Sequence, residues 1–103
     1  MCKALCSIGQ VIVHKNFNYR GVIFDVDANY TGTQEWYERV AKSKPPKDKP
    51  WYHVLVDGKL MTTYVAERHL QLEVNPKPIT HPLTEDYFDS FEDGSYRNYR
   101  AHN

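Results

Sequence analysis

Five histidines (His14, His53, His69, His81 and His102) and the pair Asp25 and Asp27 are the residues of this chain best suited to acid–base or metal chemistry. No two of the histidines have the H-x-x-x-H or H-E-x-x-H spacing that places ligands on one helix face. Asp25 and Asp27 lie two apart in a strand-like run and share its outward face, where two carboxylates could meet a hard cation. Mg2+ and Ca2+ need more oxygens than two, and Asp27-Ala28-Asn29 leads into a turn, where Asp and Asn belong for local hydrogen bonding. The pair therefore reads as structural. Cys2 and Cys6 form a C-x3-C pair without the second ligand pair a zinc site requires, so they read as reduced, accessible thiols in an N-terminus of 1–7 that is expected to be flexible. His53, within "KPWYHVLVDG", shares a strand face with Trp51 and Leu55. A hydrogen-bonded, partly buried imidazole fits that setting better than a general base, because no orienting acid or nucleophile accompanies it locally. Neither a G-x-S-x-G elbow, a Walker loop nor a dinucleotide fingerprint occurs. The residues assign no catalytic site and no metal.

The elements that must position these residues are short. Ile8–His14 and Gly21–Asp27 are β-branched runs joined by a polar link, and in the second Val22, Phe24 and Val26 are expected on one face. Trp51–Val56 and Leu60–Ala66 form another pair around Asp57-Gly58, whose composition predicts a two-residue type I′ turn. One helix is expected from about Thr33 to Ser43, with Thr31 or Thr33 as its N-cap and Trp36, Tyr37, Val40 and Ala41 forming its apolar stripe. Glu35 with Arg39, and Glu38 with Lys42, have i,i+4 spacing. Pro45, Pro46 and Pro50 then end it. "ERHLQLEV" reads as a helical turn followed by a short strand. Leu83 to Phe91 reads as a short helix and the last residues as a tail. At 103 residues the chain suits one domain burying roughly 65% of its unfolded surface. Together these elements suggest a mainly β fold: a small SH3-like antiparallel β-barrel over 8–82, with one inserted helix and an acidic C-terminal extension over 83–103.

Basic and acidic residues balance at thirteen each, so no global field points to a nucleic acid or a membrane surface. Locally the charges are segregated. Arg39, Lys42, Lys44, Lys47 and Lys49 stand against Asp48 alone, while Glu85, Asp86, Asp89, Glu92 and Asp93 form an acidic stretch. The basic segment is either a solvated loop or a site for a nucleic acid or another partner, since Trp36, Tyr37, Trp51 and Tyr52 flank it and rings beside cations can stack bases. The tryptophans fit the core better. Tyr87, Phe88 and Phe91 within the acidic stretch could provide the apolar part of an oligomer contact. No apolar run reaches the length of a membrane helix and no signal-peptide core is present, so a cytoplasmic location is expected.

Three ordered blocks, "IGQVIVHKNFNYRGVIFDVD", "KPWYHVLVDG" and "TYVAERHL", together resemble the YccV-like family over about Ile8 to Pro82. The resemblance implies a small β-barrel and no enzymatic activity, and no cofactor is expected. Members are described as binding hemimethylated double-stranded DNA. They are also described as heat-shock factors that promote degradation of denatured client proteins, including the replication initiator, through a Lon-type protease. Homo-oligomers, trimers among them, are implied too. This chain departs from the heat-shock members between Tyr30 and Lys49, where it is richer in aromatics and lysine, and in its C-terminal stretch.

Overall fold

The computed structural model describes residues 5–98. The chain runs β1 (Val11–His14), β2 (Arg20–Asp27), α1 (Gln34–Val40), β3 (Trp51–Val56) and β4 (Thr62–Ala66), then a 3-10 turn at Glu67–His69. It continues through β5 (Leu70–Leu72), α2 (Thr84–Tyr87), β6 (Ser90–Glu92) and β7 (Ser95–Arg97). Strands β1 to β5 form one antiparallel sheet in the order β4-β3-β2-β1-β5, and β6 pairs with β7. The fold is mainly β with little helix, as the sequence implies. The expected barrel is not closed by hydrogen bonds, because β4 and β5 are the two ends of the strand order and do not pair with each other. The 3-10 turn carries the chain from one free edge to the other in three residues.

Both faces of the sheet are buried. On one face Ile12, Ile23, Tyr52, Val54, Val65 and Leu70 pack together with Cys6. On the other, Val11, Val22 and Leu55 pack with Ile79 and Phe88, flanked by Phe24, Leu83, Phe91 and Tyr96. This accounts for the continuous apolar runs Val11-Ile12, Val22-Ile23 and Val54-Leu55-Val56, where a half-exposed strand would alternate with polar residues. The register of β2 on β3 shifts between Ile23 and Asp25. A bulge there inserts one extra residue, so Val26 packs with Ile23 and not on the Val22 and Phe24 face expected from strict alternation.

Residues 83–97 are part of this packing. Phe88 is buried. The helix predicted over Leu83–Phe91 is confined to four residues, and the tail expected after it is a hairpin. Asp93 and Gly94 both have positive φ between the paired residues Glu92 and Ser95, the signature of a type I′ turn. The hairpin is tied to β1 through Gly9, whose carbonyl accepts from the Tyr96 N–H at 2.7 Å. A Cβ on Gly9 would lie 2.2 Å from the Tyr96 carbonyl oxygen, so only glycine permits this approach.

The proline-bearing connection that leads to α2 is held by polar anchors. The Arg20 guanidinium donates to Asp57 Oδ2 at 3.1 Å and to the Lys77 carbonyl at 2.7 Å. Asp57 Oδ1 accepts from the Thr80 N–H, and Gly58 N–H donates to the Thr80 carbonyl. His81, itself buried, donates from Nε2 to the Met61 carbonyl and accepts at Nδ1 from the Leu83 N–H.

The turn at Asp57-Gly58 differs from expectation. Gly58 has φ +77°, but Asp57 is not in the positive region, and Lys59 N–H donates to the Val56 carbonyl. That is the pattern of a type II turn, set in a longer loop that closes at Met61. Asp57 uses its carboxylate to hold Arg20 and Thr80, so its backbone is fixed by those contacts as well as by the hairpin.

Two predictions follow from this packing. Gly58→Val should cost more than about 1 kcal/mol in a denaturant titration, because a β-branched residue is strained at positive φ although the space around Gly58 is open. Phe88→Ala should cost about 3–5 kcal/mol, while Tyr87→Ala, at a 38% exposed position, should change stability much less. Equal effects at the two positions would contradict the packing described.

Candidate functional site

Helix α1 starts where Thr33, the second of the two candidate caps, accepts the Trp36 N–H on its hydroxyl at 3.1 Å. It ends at Val40, so Ala41 and Lys42 lie beyond it. Glu38 accepts a hydrogen bond from Gln34 at 2.7 Å, an i,i+4 contact of a different kind from the predicted pairing with Lys42. The helix seats Tyr37 against Trp51 and Ala66, with Tyr30, Trp36 and Tyr64 around them. Trp51 is buried, as expected for a core tryptophan, whereas Trp36 is only partly covered. Each polar tip finds an acceptor: the Tyr37 hydroxyl donates to the Pro45 carbonyl at 2.5 Å and the Trp51 indole to the Pro46 carbonyl at 3.2 Å. The proline segment that ends the helix thus also lines the aromatic cluster.

The basic segment divides against this cluster. Lys47 Nζ lies 4.4 Å from the Tyr37 ring centroid and also bonds the Gln34 side chain, and Lys44 Nζ is 5.4 Å from the same ring. Both ammonium groups are therefore partly engaged by their own chain. Arg39, Lys42 and Lys49 are exposed. The five cations occupy one stretch of surface, but they do not act as five equivalent free charges.

Asp27 is a hub and not half of a bare carboxylate pair. Its Oδ2 accepts from Tyr64 at 2.7 Å, from Thr31 at 2.8 Å and from His53 Nε2 at 3.0 Å. Burial opposes ionisation of Asp27, but these three bonds outweigh it and hold the carboxyl below its ordinary pKa. Asp25, Asp27 and His53 come close enough together to be a geometric candidate for a cation. Asp25 Oδ1 accepts from the Val26 N–H, and Asp27 is already committed, which favours the structural role read from the sequence. His53 lies against Tyr64 with the rings tilted at 37° and centroids 4.5 Å apart, held by Asp27 on a face it shares with Trp51.

Cys6 is buried in the core, unlike the accessible thiol expected of it; Cys2 and His102 lie outside the described residues. The Cys6 N–H donates to the Tyr52 hydroxyl, which donates to Glu67 Oε2 at 2.7 Å. Burial and the Glu67 carboxylate raise the Cys6 thiol above its ordinary pKa, so it is poorly suited to act as a nucleophile.

Of the three aromatics proposed for an oligomer contact, Phe88 is buried within the chain's own core, Phe91 packs beside it and Tyr87 is the most accessible. Tyr87 lies against Phe24, with ring centroids 4.8 Å apart.

A groove of about 910 Å³ runs beside β4. Trp36, Val40 and Lys42 from α1 and the residues after it, His14, Phe17 and His69, and Met61 are among the residues that line it. Phe17, Met61 and Val40 are exposed at 76%, 54% and 49%. Sequence reading missed this feature. The available signal was an apolar residue in each of two polar turns, Phe17 between two asparagines and Met61 after the Asp-Gly pair.

Within this lining His14 and His69 stack nearly parallel at 5.6 Å. His14 Nδ1 accepts from the N–H groups of Asn16 and Phe17, and this contact shapes the loop that carries Phe17. His69 bonds Asn16 and Ser43, linking the loop between β1 and β2 to the segment after α1.

A family model described as "Hemimethylated DNA-binding protein YccV like" matches residues 5–95, a span that includes both hairpins, α1 and most of the C-terminal hairpin.

The histidine pair makes stability pH-dependent. Burial, then the neighbouring His69, lowers the pKa of His14; burial, then Arg68 and Lys15, lowers that of His69. The unfolded chain, with histidine near 6.5, therefore binds more protons than the folded one just below that pH. The stabilisation is complete above about pH 6.5 and is lost as pH falls through the lower folded-state values. Chemical denaturation at pH 7.5 and pH 5 should show the chain less stable at the lower pH, and His69→Gln should reduce the difference. An unchanged difference would remove the pair as its cause.

Proposed function

The chain belongs to the YccV-like family, and from this premise we propose that it is a cytoplasmic quality-control factor of the HspQ heat-shock type. It acts by binding, with no catalytic step of its own, and promotes degradation of denatured proteins, including the replication initiator, by a Lon-type protease. The observation that carries this reading is the groove beside β4, where Phe17, Met61 and Val40 are exposed together. Exposed apolar clusters suit the side chains that an unfolded polypeptide presents. The zero net charge also fits a protein partner better than a phosphate backbone. In a homo-oligomer, a trimer for instance, several such grooves would act on one client, with Tyr87 available at the contact. Among the described residues no helix is long and apolar enough to cross a membrane.

A second reading, recognition of hemimethylated duplex DNA, is supported by the family description and by exposed Arg39, Lys42 and Lys49. It has the weaker geometric basis, because Lys44 and Lys47 are held over Tyr37.

The two readings separate in paired assays. Adding the chain to purified Lon protease and an unfolded client should raise the rate of client degradation in proportion to the chain added, and a rate that stays flat would overturn the degradation reading. Binding to hemimethylated, fully methylated and unmodified duplexes at two salt concentrations should show affinity that collapses with salt and ignores methylation. A salt-resistant preference for the hemimethylated duplex would favour the second reading instead.

A further inference from the structure

We infer that β4 is a docking edge that takes an extended, acidic and apolar segment of an unfolded polypeptide as an added β-strand. The inference rests on the protein-handling reading above and supplies its binding mode.

The hydrogen-bond parity of the β3–β4 ladder carries it. Val56 N–H donates to the Met61 carbonyl at one end, and Glu67 N–H donates to the Pro50 carbonyl at the other. The register between them is continuous, pairing Leu55 with Thr62 and Trp51 with Ala66. In an antiparallel ladder bonded and non-bonded pairs alternate, so Thr63 and Val65 bond to β3. The N–H and C=O groups of Thr62 and Tyr64, and the N–H of Ala66, therefore point away from the sheet, the Ala66 carbonyl being taken by the 3-10 turn that it caps, and all three residues line the groove. Among the described residues no strand pairs with β4 on that side.

Free edges are commonly blunted by lysine, proline or a bulge, and β4 has none of these. An extended polypeptide supplies donors and acceptors at strand spacing, which a nucleic acid does not. Its apolar side chains would meet the exposed Phe17, Val40 and Met61 that line the same groove. Charge selects among peptides. Among the described residues Lys42 and Lys59 line the groove and no carboxylate does. A segment with acidic residues between its apolar ones is the complementary partner.

The test uses the full chain and a short labelled peptide alternating valine with aspartate, beside a counterpart alternating valine with lysine. The acidic peptide should bind and shift the amide NMR signals of Thr62, Tyr64 and Ala66. Thr62→Pro deletes an N–H that faces the groove and not β3, so the variant should keep the parent's unfolding midpoint while losing about tenfold or more in peptide affinity. Thr62→Val should bind like the parent. Lys42→Glu combined with Lys59→Glu should move the preference to the lysine peptide. Undiminished binding by a folded Thr62→Pro chain, or shifts confined to residues away from β4, would overturn the inference. Displacement of the peptide by duplex DNA with the same amide shifts would overturn it too, and would assign the groove to nucleic acid. A chain that stimulates Lon but fails these tests loses only the docking edge. A chain that passes them without stimulating Lon loses only the degradation reading.

Discussion

Strand β3 has Tyr52 and Val54 packed into one apolar cluster and Leu55 packed into another on the opposite face, so the sheet around it must be covered twice. One cover is the curl of the sheet itself, closed over Ile12, Ile23 and Leu70 with Cys6 brought in from the N-terminal side. The other comes from far along the chain, in Ile79, Leu83, Phe88, Phe91 and Tyr96. Burying these groups is favourable at roughly 25 cal/mol per Å² of apolar surface, but only if the connecting segment reaches the right place. Arg20, Asp57 and His81 provide that guidance, each bonding backbone groups of residues 77–83 that prolines leave outside any strand. The acidic stretch is therefore soluble on its outer side and structural on its inner side.

The same logic explains the aromatic corner. Trp51 begins β3 beside α1, and a short helix could not bury its ring alone. Tyr30, Tyr37 and Tyr64 complete the enclosure at centroid distances of 4.9 to 6.3 Å, while the Pro45 and Pro46 carbonyls accept the polar hydrogens. Lys44 and Lys47 then lie against the outer ring faces. A basic segment that looks solvated in the sequence is half absorbed into packing, which is why charge count alone overstates its capacity for phosphate.

Much of the fold was legible because local chemistry decided it. Thr33 could be read as a cap, the Pro45-Pro46 pair as a stop, and Glu67–Leu72 as a helical turn followed by a strand. Other features depend on partners distant in sequence. The chain has two Asp-Gly pairs, and only Asp93-Gly94 makes the type I′ turn. Asp57-Gly58 is held in another shape because Asp57 also bonds Arg20 and Thr80. The bulge at Phe24 breaks no composition rule, so alternation alone places Val26 on the wrong face. The candidate groove was hidden for a similar reason: whether a strand is central or terminal depends on the order of pairing. "TTYVA" carries no mark of being an edge except that it lacks the residues that protect one.

A sheet covered on both faces keeps its pairing capacity at its two ends, and β4 is the longer of them. That allocation depends on the C-terminal segment being part of the domain and not an appendage. The direct measurement is the cooperativity of unfolding of a chain ending at Pro82, followed by near-ultraviolet circular dichroism and urea titration beside the full chain. The account predicts that the shortened chain loses the cooperative transition, because Val11, Val22 and Leu55 are left facing water. A shortened chain that unfolds cooperatively at the midpoint of the full one would contradict it.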